Sequence, residues 1–172
     1  LTMTIITSCS DDPDTSNCYT FKGGMMSEFL QKNAEFSEFA EIVTRAGLMD
    51  QLSAYGAYTC FAPTNTAIDN FLKAKGKNSL SDLSDADCDT LARTHLIANM
   101  YSTSEMEDGV LTTANMNKRY LEISHGLDKD SNAVVILNKS ANVIFSQQDD
   151  SVENGIMQPV NIVLESSSRM LP

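Results

Sequence analysis

The chain reads as an α+β fold, and three observations predict it. Apolar residues at helical spacing gather before residue 96, and β-branched residues at period two gather after it. The two patterns do not alternate, so a parallel βαβ architecture is disfavoured. With 172 residues there is room for one domain and a tail.

The elements follow in order. Residues 9–24 are rich in Ser, Asp, Pro, Thr and Asn and close at Gly23-Gly24, which reads as a flexible acidic tether. Met26, Phe29 and Leu30 suggest a short helix over 26–33. Phe36, Phe39, Ala40 and Val43 then fall at i, i+3, i+4 and i+7, one apolar stripe on a helix running to Ala46. Gly47 is placed to end it, and Leu48, Met49 and Leu52 continue as another helical turn. Tyr58 through Ala62 has strand composition and stops at Pro63.

Either Thr64 or Asn65 caps the next helix, whose Ala67, Ile68, Phe71 and Leu72 share a face; Gly76 ends it. A polar loop runs to about Asp82. Ser84-Asp85-Ala86-Asp87 is a capping-box start for a helix with Cys88, Leu91, Ala92 and His95 on one side. Strands are expected over 96–101, 119–124, 133–138, 142–146 and 156–164. The last carries Val160, Ile162 and Leu164 on one side, with Pro159 implying a bulge or an unpaired edge position.

The formal net charge is −11, from 23 acidic and 12 basic residues, and no Lys/Arg run offers a basic stripe. Such a surface repels phosphate backbones, so no nucleic acid is expected as a partner. No stretch approaches the ~20 apolar residues of a membrane-spanning helix. The start is informative instead. Leu1 through Ser8 is apolar, ends in small residues and stops at Cys9, with Ser10-Asp11-Asp12 directly after. Residues 1–8 resemble the end of a lipoprotein signal peptide, in which the cysteine becomes the lipidated first residue. Cys9-Ser10-Asp11-Asp12 also resembles the acidic surface-export signal of Bacteroidetes lipoproteins. That resemblance implies a lipid anchor on Cys9 in the outer membrane, facing the medium.

The remaining cysteines, Cys18, Cys60 and Cys88, are odd in number and irregularly spaced, which is neither a disulfide framework nor a zinc pattern. Cys60 falls in an apolar strand and Cys88 on an apolar helix face, where thiols act as small hydrophobes. One disulfide among the three stays open. Asp85-x-Asp87-x-Asp89 mimics the start of a calcium loop. Thr90, however, stands where that loop needs Gly, and Leu96 where it needs Glu. No nucleotide-binding glycine loop, nucleophile elbow or metalloprotease motif is present. The two histidines, His95 and His125, have no nucleophile embedded in a motif nearby. No catalytic residue, metal or cofactor is expected.

Three stretches resemble the fasciclin family. The first is Phe61-Ala62-Pro63-Thr64-Asn65-Thr66-Ala67-Ile68, similar to that family's Phe-Ala-Pro-Thr-Asn motif and following helix. The second is Leu91 through His95, where the family has Tyr-His. The third is Asn154-Gly155-Ile156-Met157-Gln158-Pro159-Val160-Asn161, similar to its closing Asn-Gly strand. Asn33 through Ser37 and the helix after it fit the family's opening. The resemblance covers residues 25–172. It implies helices mostly in the first half, packed on a β-sandwich or wedge formed mostly by the second. Thr94 departs from the Tyr that often precedes the histidine, and Gln158, Pro159 and Asn161 depart from His, a branched apolar residue and Asp.

The motif residues Phe61, Pro63, Thr64, Asn65, His95, Asn154 and Gly155 read as structural. Pro63 sets a turn, Thr64 or Asn65 satisfies N–H groups at a helix start, and Asn154-Gly155 supplies a positive φ for a tight turn. His95 is expected to be packed and hydrogen-bonded to backbone, and His125, beside Gly126, to lie in a loop. The resemblance and the anchor together imply a non-catalytic binding module for cell adhesion, contacting a protein or a glycan at the cell surface. The alternative is an accessory lipoprotein of an outer-membrane glycan or peptide uptake complex. Domains of this family commonly occur in tandem, so at least one further domain is expected.

Overall fold

The computed structural model describes residues 24–165. The expected signal remnant over residues 1–8, Cys9, Cys18 and nearly all of the expected tether lie outside the described residues. Among the described residues, four α-helices are α1 (Met26–Lys32), α2 (Ser37–Arg45), α3 (Asn65–Ala74) and α4 (Asp85–Thr94). The eight strands among these residues are β1 (Tyr58–Cys60), β2 (Leu96–Ile97), β3 (Gly109–Val110), β4 (Glu122–Leu127), β5 (Ala133–Leu137), β6 (Ala141–Asn142), β7 (Asp150–Val152) and β8 (Gly155–Met157). The fold is α+β, with the helices in the first half and most of the sheet in the second.

One sheet has the order β2-β1-β8-β7, and the other β3-β4-β5-β6. Within the first, β1 and β8 run parallel, with Thr59 opposite Ile156 and Cys60 opposite Met157. Successive strand residues point to opposite faces, and the core divides accordingly. Cys60, Leu96 and Met157 join Phe39, Ile42, Ile68 and Leu91 in a cluster beneath the helices. Their chain neighbours Phe61 and Ile97 pack on the other side, with Ile123, Val135, Leu137 and Val143 of the second sheet. The first sheet is thus the middle layer of three.

Local chemistry accounts for the helix ends. Gly47 and Gly76 take φ of +74° and +71° just past α2 and α3, which a side chain would resist. At the start of α4, Ser84 Oγ accepts from Asp87 N at 3.0 Å and Asp87 Oδ2 accepts from Ser84 N at 3.2 Å, a complete capping box.

The strands depart more from expectation. The 96–101 run pairs only at Leu96–Ile97, the 119–124 run begins at Glu122, and the 142–146 run ends at Asn142. The run expected over 156–164 is regular only through Met157. Pro159 has no N–H to give, and Val160 resumes as a lone bridge between Pro63 and Val143, tying the two sheets together. Beyond it the alternation fails: Ile162 is 45% exposed while Val163 and Leu164 are both buried. Strands β3 and β7 have no period-two pattern and exist through their partners. His125 is not in a loop but in β4, opposite Val135.

Candidate functional site

The family-like motifs converge at the junction of helices and middle sheet. Phe61 follows β1, is fully buried, and donates its N–H to His95 O at 2.8 Å. Pro63 forms the parallel bridge to Val160. Thr64 is the cap of α3, its Oγ1 accepting from Ala67 N at 3.2 Å. Asn65 does not cap α3. Its Oδ1 accepts from Glu38 N at 2.9 Å, and its Nδ2 donates to Ala34 O at 2.8 Å and Ser37 Oγ at 3.1 Å. It therefore serves the first turn of α2, whose own capping residue, Phe36, has no side-chain acceptor.

His95 is fully buried, its ring edge-on to Phe39 with centroids 5.5 Å apart. Nδ1 lies 2.7 Å from Leu91 O, which can only accept, and Nε2 lies 2.9 Å from Leu164 N, which can only donate. The partners therefore select the Nδ1–H tautomer. Burial holds the imidazole neutral, down to a pKa of about 4, against the opposing pull of the Leu91 carbonyl. With both nitrogens occupied by backbone, the ring has no free position for ligand or proton transfer.

Asn154 is also fully buried. Its Oδ1 accepts from Met26 N at 2.7 Å, and its Nδ2 donates to Leu52 O at 2.7 Å and Ala54 O at 2.9 Å. Gly155 corrects the expectation made for it. It lacks the positive φ expected of the Asn-Gly pair. Glycine is needed because a Cβ there would overlap the Tyr58 carbonyl and come within 2.8 Å of Met26 Cε. The requirement is close approach of backbones within the β1–β8 pair, not turn geometry.

The departing positions are equally committed. Thr94 is buried, donating to Thr90 O at 2.7 Å and accepting from Asn117 Nδ2 at 3.2 Å. Gln158 is fully buried; its Nε2 reaches Tyr101 O at 3.1 Å and Asp149 Oδ1 at 2.7 Å, while Oε1 accepts from Asp149 N at 2.8 Å. Asp149 in turn accepts from Thr103 N at 2.7 Å and Thr103 Oγ1 at 2.6 Å. Asn161 is exposed, its Oδ1 accepting from Asn142 N at 2.9 Å.

Elsewhere the chemistry is dispersed. Cys60 and Cys88 are free and buried, and burial pushes the Cys60 thiol up. His125 Nδ1 pairs with Asp108 Oδ1 at 2.6 Å on the surface. Asp85 pairs with Arg45 and Asp89 with Arg93, so the calcium-loop mimic is a helix face with local partners. Among the described residues, no group of three or more His, Cys, Asp or Glu side chains is placed to hold a metal ion.

One surface feature had no motif to announce it. A groove of about 550 Å³ opens on the outer face of the second sheet. Val134 and Asn142 lie on that face, because Val135, Leu137 and Ala141 point inward to the core. One wall is the Asp128–Asn132 turn and the other is Val143–Ser146, with Asn161 at the end. The polar run between two β-rich segments signals a turn in the sequence; nothing there signals the groove.

Fold and motif geometry define a class: an α+β domain whose buried motif polar residues hold the fold together. The sequence pattern of the fasciclin domain matches residues 34–166, and the chain belongs to that family. No curated protein matches the chain. Among solved structures it is similar to a FAS1 domain pair from the insect cell adhesion molecule Fasciclin I. The TM-score is 0.66 at 18% identity, covering 83% of this chain and 51% of that one, so the likeness is one of fold and spans about half of the pair. Fasciclin domains are adhesion-type modules, and the geometry above is compatible with a non-catalytic binding role.

Proposed function

We propose that this chain is the partner-binding domain of a surface-anchored protein, acting in adhesion by contact with a protein or a glycan and without catalysis. The observation that carries the reading is the fasciclin domain over residues 34–166. Two features support it further. The motif side chains, His95 and Asn154 above all, are occupied by backbone partners, which leaves them to shape a rigid scaffold. Cys9, with Ser10-Asp11-Asp12 after it, resembles a lipid attachment point ahead of the domain, which supports an anchor in the outer membrane facing the medium.

The test is to express the chain behind a complete signal peptide, with a labelled fatty acid, as wild type and Cys9→Ser. Wild type should incorporate label, fractionate with the outer membrane and yield to external protease; C9S should do none of these. Beads coated with the chain should then adhere to cells. Equal labelling of both forms overturns the anchor, and beads that fail to adhere overturn the adhesive role.

A further inference from the structure

We infer that the groove on the outer face of the second sheet is a binding site for a neutral saccharide. This deepens the binding-module reading and rests on it. The floor is closed by Val134 and Val143, both buried, and the apolar surface it presents comes from half-buried Ile144 beside them. Phe145 stands on the wall 44% exposed, and its ring is a flat apolar surface of the kind the C–H face of a sugar ring covers.

Around this floor lie polar groups that folding leaves unused. The Asn142 carboxamide, the Asp130 carboxylate and the Ser146 hydroxyl make no hydrogen bond to the described residues, and Asn161 keeps its Nδ2 donors free. An amide offers donors and an acceptor together, which matches hydroxyl groups that do both. The opposite rim is held in place. Asp128 Oδ1 accepts from Asp130 N at 2.8 Å and Asn132 N at 2.9 Å, and Ser131 sits at φ +67° between them. A preorganised rim lowers the ordering cost of binding. A volume of about 550 Å³ lies within the range of small-ligand sites.

Other ligand classes fit less well. A peptide adding as a strand needs an open backbone edge. The edge at β6 is closed, since Asn142 N donates to Asn161 Oδ1 and Asn142 O accepts from Asn161 N. An acidic sugar would meet Asp130, with Lys129 as the only cation lining the groove among the described residues, on a chain of net charge −11.

The experiment is an amide NMR titration of the full chain with maltotriose, cellotriose and chitotriose, with trigalacturonate as the acidic control. At least one neutral trisaccharide should shift resonances of residues 128–132, 142–146 and 161 together, and trigalacturonate should not. Asn142→Ala and Phe145→Ala should each weaken binding about tenfold, the loss of roughly one net contact, with the rest of the spectrum unchanged. If either variant disturbs the wider spectrum, Asn142→Asp carries the same test without shortening the side chain. Shifts confined to another face overturn the site, as does a silent panel. If the panel is silent while coated beads still adhere to cells, the saccharide site falls and the binding-module reading stands. If both fail, both fall.

Discussion

Asn154 Oδ1 accepts the backbone N–H of Met26 at 2.7 Å, joining the start of α1 to the β7–β8 turn across 128 positions of chain. The same carboxamide holds Leu52 O and Ala54 O, so one buried side chain satisfies three backbone groups from two other segments.

Asn154→Ala leaves those groups unpaired in a dry site, and each buried orphan costs about 1–3 kcal/mol. We expect a loss of at least ~3 kcal/mol in urea unfolding. Asn154→Asp keeps the acceptor for Met26 but turns the donor side into an anion facing two carbonyls, so it should be no better. A midpoint shift below that of an ordinary surface substitution would refute the role given to this residue.

Gly155→Ala should be far worse than Gly47→Ala. The methyl at 155 meets the Tyr58 carbonyl within the β1–β8 pair, and that backbone has little room to move. At Gly47 nothing lies near the added atom, and the cost is that of φ +74°, about 1 kcal/mol. Thermal unfolding of the two variants side by side decides it; equal losses would return Gly155 to an ordinary turn role.

His95 makes stability depend on pH. Its folded pKa is about 4 against an ordinary 6.5, so between these values the unfolded chain binds more protons than the native one. The contribution is complete above about pH 6.5 and is lost as the pH falls toward 4. The ring protons of His95 should show no titration near 6.5, and its Nδ1 should carry the proton in nitrogen-15 spectra.

Glu38 works in the opposite sense. Partial burial and a hydrogen bond to Asp69 raise its carboxyl to about 7, with the Asp69 and Glu41 charges adding to the effect. The native state therefore holds the extra proton between about pH 4.5 and 7, and this contribution is lost as the pH rises through 7. Glu38→Gln should flatten the stability profile in that window. A carboxyl carbon resonance moving near 4.5 would contradict the assignment.

Much of the helical half was legible because each local signal had a local cause. The stripe from Phe36 to Val43, the Ser84–Asp87 box and the glycines at 47 and 76 act within a turn or two of themselves. The strands were less legible, since β3 and β7 exist only by pairing and Val160 bridges Pro63 on one side and Val143 on the other. The groove was not legible at all: its walls come from segments brought together only by the second sheet.

The sequence by itself determined the fold class, the helix ends and the residues that matter at the motifs. It could not say what those residues do, because their partners lie far off along the chain. Thr64 caps its own helix, as local chemistry allows, while Asn65 caps α2 across 27 positions. Gly155 is required by the backbone of β1, which no local rule contains. Only the tertiary structure decided these roles, because a buried polar group is satisfied by whatever the packing places beside it.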